Sequence, residues 1–172
     1  MVDDVKADAQ TPELVLRKLY IKDLSFESPR PTEALIEADV QHGIDFDANT
    51  RINKVNEDLY EVTLRITIAA IQKDIDKTLY LIEVSQAGLF AIKGLDDARL
   101  AETLNSRCSG ILLPFVRETI SSVITQGGFP PLLLQPIQFD QLYRQYLDQL
   151  TTEDGTGKME SDPEQQLKSE SK

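Results

Sequence analysis

Tyr60-Glu61-Val62-Thr63-Leu64-Arg65-Ile66-Thr67-Ile68 alternates an apolar with a polar side chain at every step. Side chains on a strand point to opposite faces with a period of two, so the odd members of this run face a core and the even members face water. The stretch is therefore a strand buried on one side, as antiparallel sheets require. Asn56-Glu57-Asp58 supplies a turn ahead of it, and a short connector near Gln72–Lys77 follows. Thr78–Phe90 then repeats the alternation, with Tyr80, Ile82 and Val84 set against Leu79, Leu81 and Glu83, so the two runs read as an antiparallel hairpin.

Working outward from this hairpin, residues 14–28 form a first strand in which Leu19 and Ile21 share one parity and Leu24 and Phe26 the other. A parity change inside one strand predicts a β-bulge near Lys22-Asp23. Pro29-Arg30-Pro31 ends the strand, and residues 32–39 form a short helical turn or loop. Ile44, Phe46 and Ala48 alternate with Asp45 and Asp47 in a short second strand that is expected to stop at Asn49-Thr50.

The second half changes period. Leu95–Leu104 reads as a helix with Asp96-Asp97 at its positive end. A longer helix runs from Gly110 to Gln126, with Pro114 near its beginning, where proline is tolerated, and Gly127-Gly128 as its stop. The apolar connection Phe129–Ile137 leads to a last helix, Phe139–Leu150, whose Phe139, Leu142, Tyr143, Tyr146, Leu147 and Leu150 form one stripe. Strands first and helices after define an α+β fold: a four-stranded antiparallel sheet with helices packed on one face.

The 172 residues fit one domain, and 41% of them are apolar, enough for a core. The domain is expected over 14–150, between a flexible acidic N-terminal arm, 1–13, and a disordered C-terminal tail, 151–172. The tail has too few large apolar residues to offset its ordering entropy. A formal net charge of −11 argues against binding nucleic acid or anionic lipid. The single cysteine, Cys108, leaves no internal disulfide and suits a reducing compartment. Met1–Asp8 lacks the basic and apolar regions of a signal peptide, and no apolar run is long enough to span a membrane. The expected location is the cytoplasm.

Catalytic and metal-binding patterns are missing. His42 is the one histidine, so neither a tetrahedral zinc set nor a Ser-His-Asp arrangement can be assembled around it. Gly127-Gly128 lacks the spacing and the following Lys-Ser/Thr of a phosphate loop. No catalytic residue, metal or cofactor is assigned. The surplus is apolar: the first strand at both parities, and Ile111, Leu112, Leu113, Phe115, Val116, Ile120, Val123 and Ile124 around much of one helix. Burial between subunits is the economical account of it, and burial within one compact monomer is the alternative. Ile44, Phe46, Phe129, Leu132, Leu134, Phe139, Leu142, Tyr143 and Tyr146 are expected to line a groove for an extended apolar peptide.

Four fragments in order carry a resemblance over residues 14–150: Leu19-Tyr20-Ile21-Lys22-Asp23-Leu24-Ser25-Phe26-Glu27, Glu83-Val84-Ser85-Gln86-Ala87-Gly88-Leu89-Phe90, Leu112-Leu113-Pro114-Phe115-Val116-Arg117-Glu118 and Gln126-Gly127-Gly128-Phe129-Pro130. Together they resemble the SecB family of bacterial protein-export chaperones. The resemblance implies a homotetramer built as a dimer of dimers, and an ATP-independent holdase that keeps secretory precursors unfolded in hydrophobic grooves. It also implies delivery to the SecA ATPase, whose basic, zinc-binding tail is received by an acidic patch. The matching positions are Asp23, Glu27, Leu81 and Glu83. The chain departs from the family at Val40-Gln41-His42, where a tryptophan is usual, at Ala48, and at Arg107-Cys108-Ser109-Gly110. Two alternatives stand beside the export reading: a SecB-like chaperone devoted to a toxin–antitoxin pair, and a small-molecule carrier or enzyme using the apolar groove.

Overall fold

The computed structural model describes residues 12–36, 42–73 and 77–153. Four antiparallel strands, β1 (Glu13–Glu27), β2 (His42–Lys54), β3 (Leu59–Gln72) and β4 (Lys77–Lys93), form one sheet in the order β1-β4-β3-β2. The expected arm and tail lie almost wholly outside the described residues, although Glu13 already belongs to β1. Val40 and Gln41 also lie outside them.

The alternation of β3 holds in three dimensions. Tyr60, Val62, Leu64, Ile66 and Ile68 are buried, and Ile82, Val84 and Phe90 meet them from β4. The register pairs Ile66 with Val84 and Ile68 with Ile82, as the hairpin requires. β1 joins the other side of β4, and its register shifts between Ile21 and Asp23, at the expected bulge. A second shift, between Leu16 and Lys18, was not foreseen. Because of these shifts Leu14, Leu16, Leu19 and Phe26 all reach the core side.

β2 is longer than expected. It does not stop at Asn49-Thr50: Asn49 pairs with Arg65, Thr50 with Leu64, and pairing continues to Lys54. The polar pair stays in the strand because the Thr50 hydroxyl meets that of Ser109 at 2.9 Å beneath the helices. β4 likewise runs past Phe90 to Lys93.

Residues 97–126 form one continuous helical run rather than the two helices expected there. α1 (Pro31–Ile36) is a short turn of helix after β1. α2 (Asp97–Glu102) starts at an Asp96 cap whose side chain accepts from the Arg99 N–H at 2.9 Å. A π-helical turn over Thr103–Arg107 then leads straight into α3 (Cys108–Gln126). The wider turn holds one extra residue and so shifts the phase of the apolar pattern, which makes one run look like two. Pro114 consequently stands inside the helix. Having no N–H, it leaves the Gly110 carbonyl without its helical donor, and both residues face solvent, where water can donate instead.

α3 lies across β3 and β4. Cys108, Leu112, Val116, Ile120 and Ile124 complete the core beneath it. Cys108 is fully buried, and desolvation pushes its thiol up to about 12. The helix ends as its glycines foretold. Phe129 N–H donates to Ile124 C=O at 3.2 Å and Gly128 N–H to Thr125 C=O at 3.0 Å, a Schellman arrangement, with Gly128 at φ 88°. Gly127 is required for a different reason: a Cβ there would sit 2.4 Å from the Phe26 ring. The chain then turns Phe129 into an aromatic cluster, 4.9 Å from Tyr80 and 6.4 Å from Phe26 between centroids. A connection over 130–138 leads to α4 (Phe139–Glu153), three residues longer than expected.

Candidate functional site

The sheet has a helix side and an open side. On the open side, the ladder register sets side chains in rows that cross all four strands. One row is Asp23, Ser85, Arg65 and Asn49; the next is Ser25, Glu83, Thr67 and Asp47; the next is Glu27, Leu81, Ala69 and Asp45. The four positions of the expected acidic patch, Asp23, Glu27, Leu81 and Glu83, thus share one face within three consecutive rows, and Glu27 pairs directly with Leu81. Ile82 and Val84, opposite in parity, are fully buried.

The patch is not purely acidic. Arg65 Nη2 lies 2.5 Å from Glu83 Oε2. The hydrogen bond to Glu83 and the nearby charges of Asp23 and Asp47 hold the Arg65 guanidinium in its charged form. Lys22, Arg51 and Arg65 stand with Asp23 and Asp47 around a shallow depression of about 410 Å³ floored by Thr63 and Ser85. Further along the face, Glu61 accepts from Tyr20 and from Lys22 Nζ at 2.7 Å. These two donors lower the Glu61 carboxyl below its usual range, and the same contact pushes the Tyr20 phenol up to about 12. Asp45 and Asp47 were read from sequence as the solvated side of β2, and neither they nor Arg65 were assigned to the patch. Alternation alone put Arg65 on the solvent face of β3, but placing it beside Glu83 needed the β3–β4 register.

On the helix side, the nine residues expected to line one groove fall into three environments. Ile44 and Phe46 pair with Ala70 and Ile68 on the core face of β2 and pack against the core with Leu132, Leu134 and Phe139. Phe129 is only 8% exposed and belongs to the core itself, so it forms no open wall. Leu132 and Leu134, partly buried against the core, also border with Leu133, 75% exposed, a groove of about 600 Å³ whose other wall on α3 holds Arg117, Ser121 and Thr125.

Leu142, Tyr143 and Tyr146 stand on α4. Its first turn is tied to the π turn by the Ser106 hydroxyl, which donates to Asp140. Beyond that tie the stripe opens: Leu142, Tyr146, Leu147 and Leu150 are 36–46% exposed. Ile21 and Leu24 of β1 are also bare, at 48% and 42%, on the edge that α3 leaves uncovered. His42 is exposed at the start of β2, and no group of three or more metal-ligating side chains occurs among the described residues. No helix among them is long and apolar enough to cross a membrane.

An antiparallel sheet backed by one long helical run, with a charged open face and apolar surface left bare beside the helices, defines the class. Residues 7–150 match the family model described as preprotein translocase subunit SecB. The chain is 39% identical over 147 residues to the protein-export protein SecB of Pseudomonas fluorescens, covering 86% of this chain and 91% of that one. It is 43% identical over 143 residues to the protein of the same name from Hahella chejuensis, covering 83% and 87%. The fold is also that of a SecB-like chaperone of Mycobacterium tuberculosis solved with a peptide from the HigA1 antitoxin, at a TM-score of 0.55 and 16% identity, over 72% of this chain and 90% of that one. The chain belongs to the SecB family, a family of protein-export chaperones and not of enzymes.

Proposed function

We propose that the protein is an ATP-independent holdase that binds unfolded precursor proteins in the cytoplasm and delivers them to the SecA motor of the export machinery. The observation that carries this reading is the apolar surface left open after the core is complete. Leu133 and the α4 stripe are exposed, yet the core cluster beneath α3 is closed. Exposed apolar surface of this extent marks a binding face. Segments of an unfolded chain bury their own apolar side chains against it, and several such faces in one assembly raise the apparent affinity through effective concentration.

The assembly in this reading is a dimer of dimers. Ile21 and Leu24 on the bare edge of β1, and Phe115 on the outer side of α3, supply the apolar surface for subunit contacts. The charged sheet face, with Asp23, Glu27, Leu81 and Glu83, receives the basic tail of SecA. The two surfaces lie on opposite sides of the sheet, so a client and the motor are held together without overlap. The domain that does this spans 14–150.

The test is to dilute a denatured secretory precursor into buffer with the purified protein and no nucleotide, and to follow aggregation by light scattering. Suppression near one client per assembly is expected. Undiminished aggregation at a molar excess of protein would sink the holdase reading. Light scattering of the protein alone reads the assembly: four chains of 19.3 kDa are expected, and a stable monomer at micromolar concentration removes the dimer of dimers.

A further inference from the structure

The two rows beside Arg65 on the open sheet face carry the carboxylates of Glu27, Asp45, Asp47 and Glu83 and no base. Arg65 stands at their border. From its own row it reaches diagonally to Glu83, a neighbour that long side chains span easily. Asp23 attracts it from the β1 side and Asp47 from the β2 side. Arg65 therefore faces three carboxylates, of which Asp23 and Asp47 share their depression with Lys22 and Arg51 as well, while Glu83 pairs with Arg65. Its side chain is 50% exposed and that of Glu83 is 21% exposed, so solvent and an incoming partner reach the pair.

We propose that Arg65 is a resident counter-ion of this face: it holds, from within the chain, the position among Glu83, Asp23 and Asp47 that a basic side chain of the docking partner takes. The inference rests on the docking reading above and adds a regulator to it. A lysine or arginine arriving at the patch exchanges with Arg65 on Glu83, or settles beside it against like charge. Docking then gains only the difference between two ion pairs. The face is kept selective for a segment with several bases, because a single base gains little by exchange. Asp47, which no sequence motif marks, is part of the receiving set.

Exposed and half-exposed ion pairs contribute up to about 1 kcal/mol, which is about threefold to fivefold in affinity. The full chain carrying Arg65→Gln or Arg65→Lys, beside Glu83→Lys, is titrated with the zinc-loaded basic C-terminal segment of SecA at low and at high salt. Arg65→Gln is expected to bind about threefold to fivefold tighter at low salt, with the gain shrinking at high salt as screening sets in. Arg65→Lys keeps the charge and is expected to match the unsubstituted protein. Unchanged or weaker binding by Arg65→Gln overturns the inference, and so does equal tightening by Arg65→Lys, since charge is then not the cause. If Glu83→Lys weakens binding and Arg65→Gln changes nothing, only the resident counter-ion falls. If Glu83→Lys binds as well as the unsubstituted protein, the docking reading falls with it.

Discussion

Helices α3 and α4 carry apolar stripes of comparable length and meet opposite fates. On α3, Leu112, Val116, Ile120 and Ile124 are wholly buried; on α4, Leu142, Tyr146, Leu147 and Leu150 keep 36–46% of their surface in water. The difference lies in what each helix is fastened to. α3 lies across β3 and β4 and is clipped at its end by Gly127-Gly128-Phe129, whereas α4 is tied to the π turn at its first turn and leaves its stripe open beyond it. An amphipathic pattern specifies that a helix forms and which side is apolar. It does not specify that the partner for that side belongs to the same chain.

Truncation separates the two helices most strongly. Leu112→Ala should destabilise the fold by about 2–5 kcal/mol, as cavity-forming core substitutions do. Leu147→Ala on α4 should stay within about 0.5 kcal/mol, as surface changes do. Equal losses in urea unfolding would mean that α4 is part of the core.

Charge makes the second test. Leu142→Asp should weaken binding of an unfolded precursor about tenfold or more while leaving the melting temperature nearly unchanged, because the charge is desolvated only when a client covers it. Phe46→Asp should behave differently, since Phe46 sits on the core face opposite Ile68. Its main effect is expected on stability, read by thermal melting. If Leu142→Asp melts earlier than Phe46→Asp, the assignment of open and closed surfaces is reversed.

The clip gives a smaller effect. Gly128→Ala forces a side chain to φ 88° and should cost about 1–2 kcal/mol, and the loss should appear in the unfolding of α3 and the sheet. Calorimetry showing no change would remove the clip as the cause of α3's burial.

The smallest effect is on the open sheet face. Glu61 has a lowered pKa in the folded protein, so its contribution is complete above the ordinary value of 4.5 and is lost as pH falls through the folded value. Glu61→Gln should flatten that acid limb by less than about 1 kcal/mol in denaturation measured below pH 4.5.

Much of the sheet was legible because a period of two is hard to produce by accident. Tyr60–Ile68 gave its strand and its buried face, and the parity change near Lys22-Asp23 gave the bulge. Thr50 misled because its turn-forming chemistry is local, while its actual partner, Ser109, is distant in sequence. The helical run was split because Pro114 marks a helix start far more often than a helix interior, and because a π turn leaves no residue signature of its own. The groove was legible as composition and not as shape. Phe129 and Leu133 are close in the chain, yet the Schellman turn sends Phe129 inward while Leu133 stays outside and Leu132 and Leu134 are only partly covered. The acidic positions were found through matched fragments, whereas Arg65, which neutralises part of them, became visible only through the register.

β1 lies at one edge of the sheet, and its register slips twice within fifteen residues. An edge strand is a template: an extended segment that lies alongside it can continue the ladder and begin a fibre. A strand broken at Leu16/Lys18 and again at Ile21/Asp23 offers no long stretch of evenly spaced donors and acceptors. The opposite edge, β2, pairs with β3 over His42–Lys54 without a shift, so the two edges of the sheet differ: one is interrupted as a template and the other is continuous.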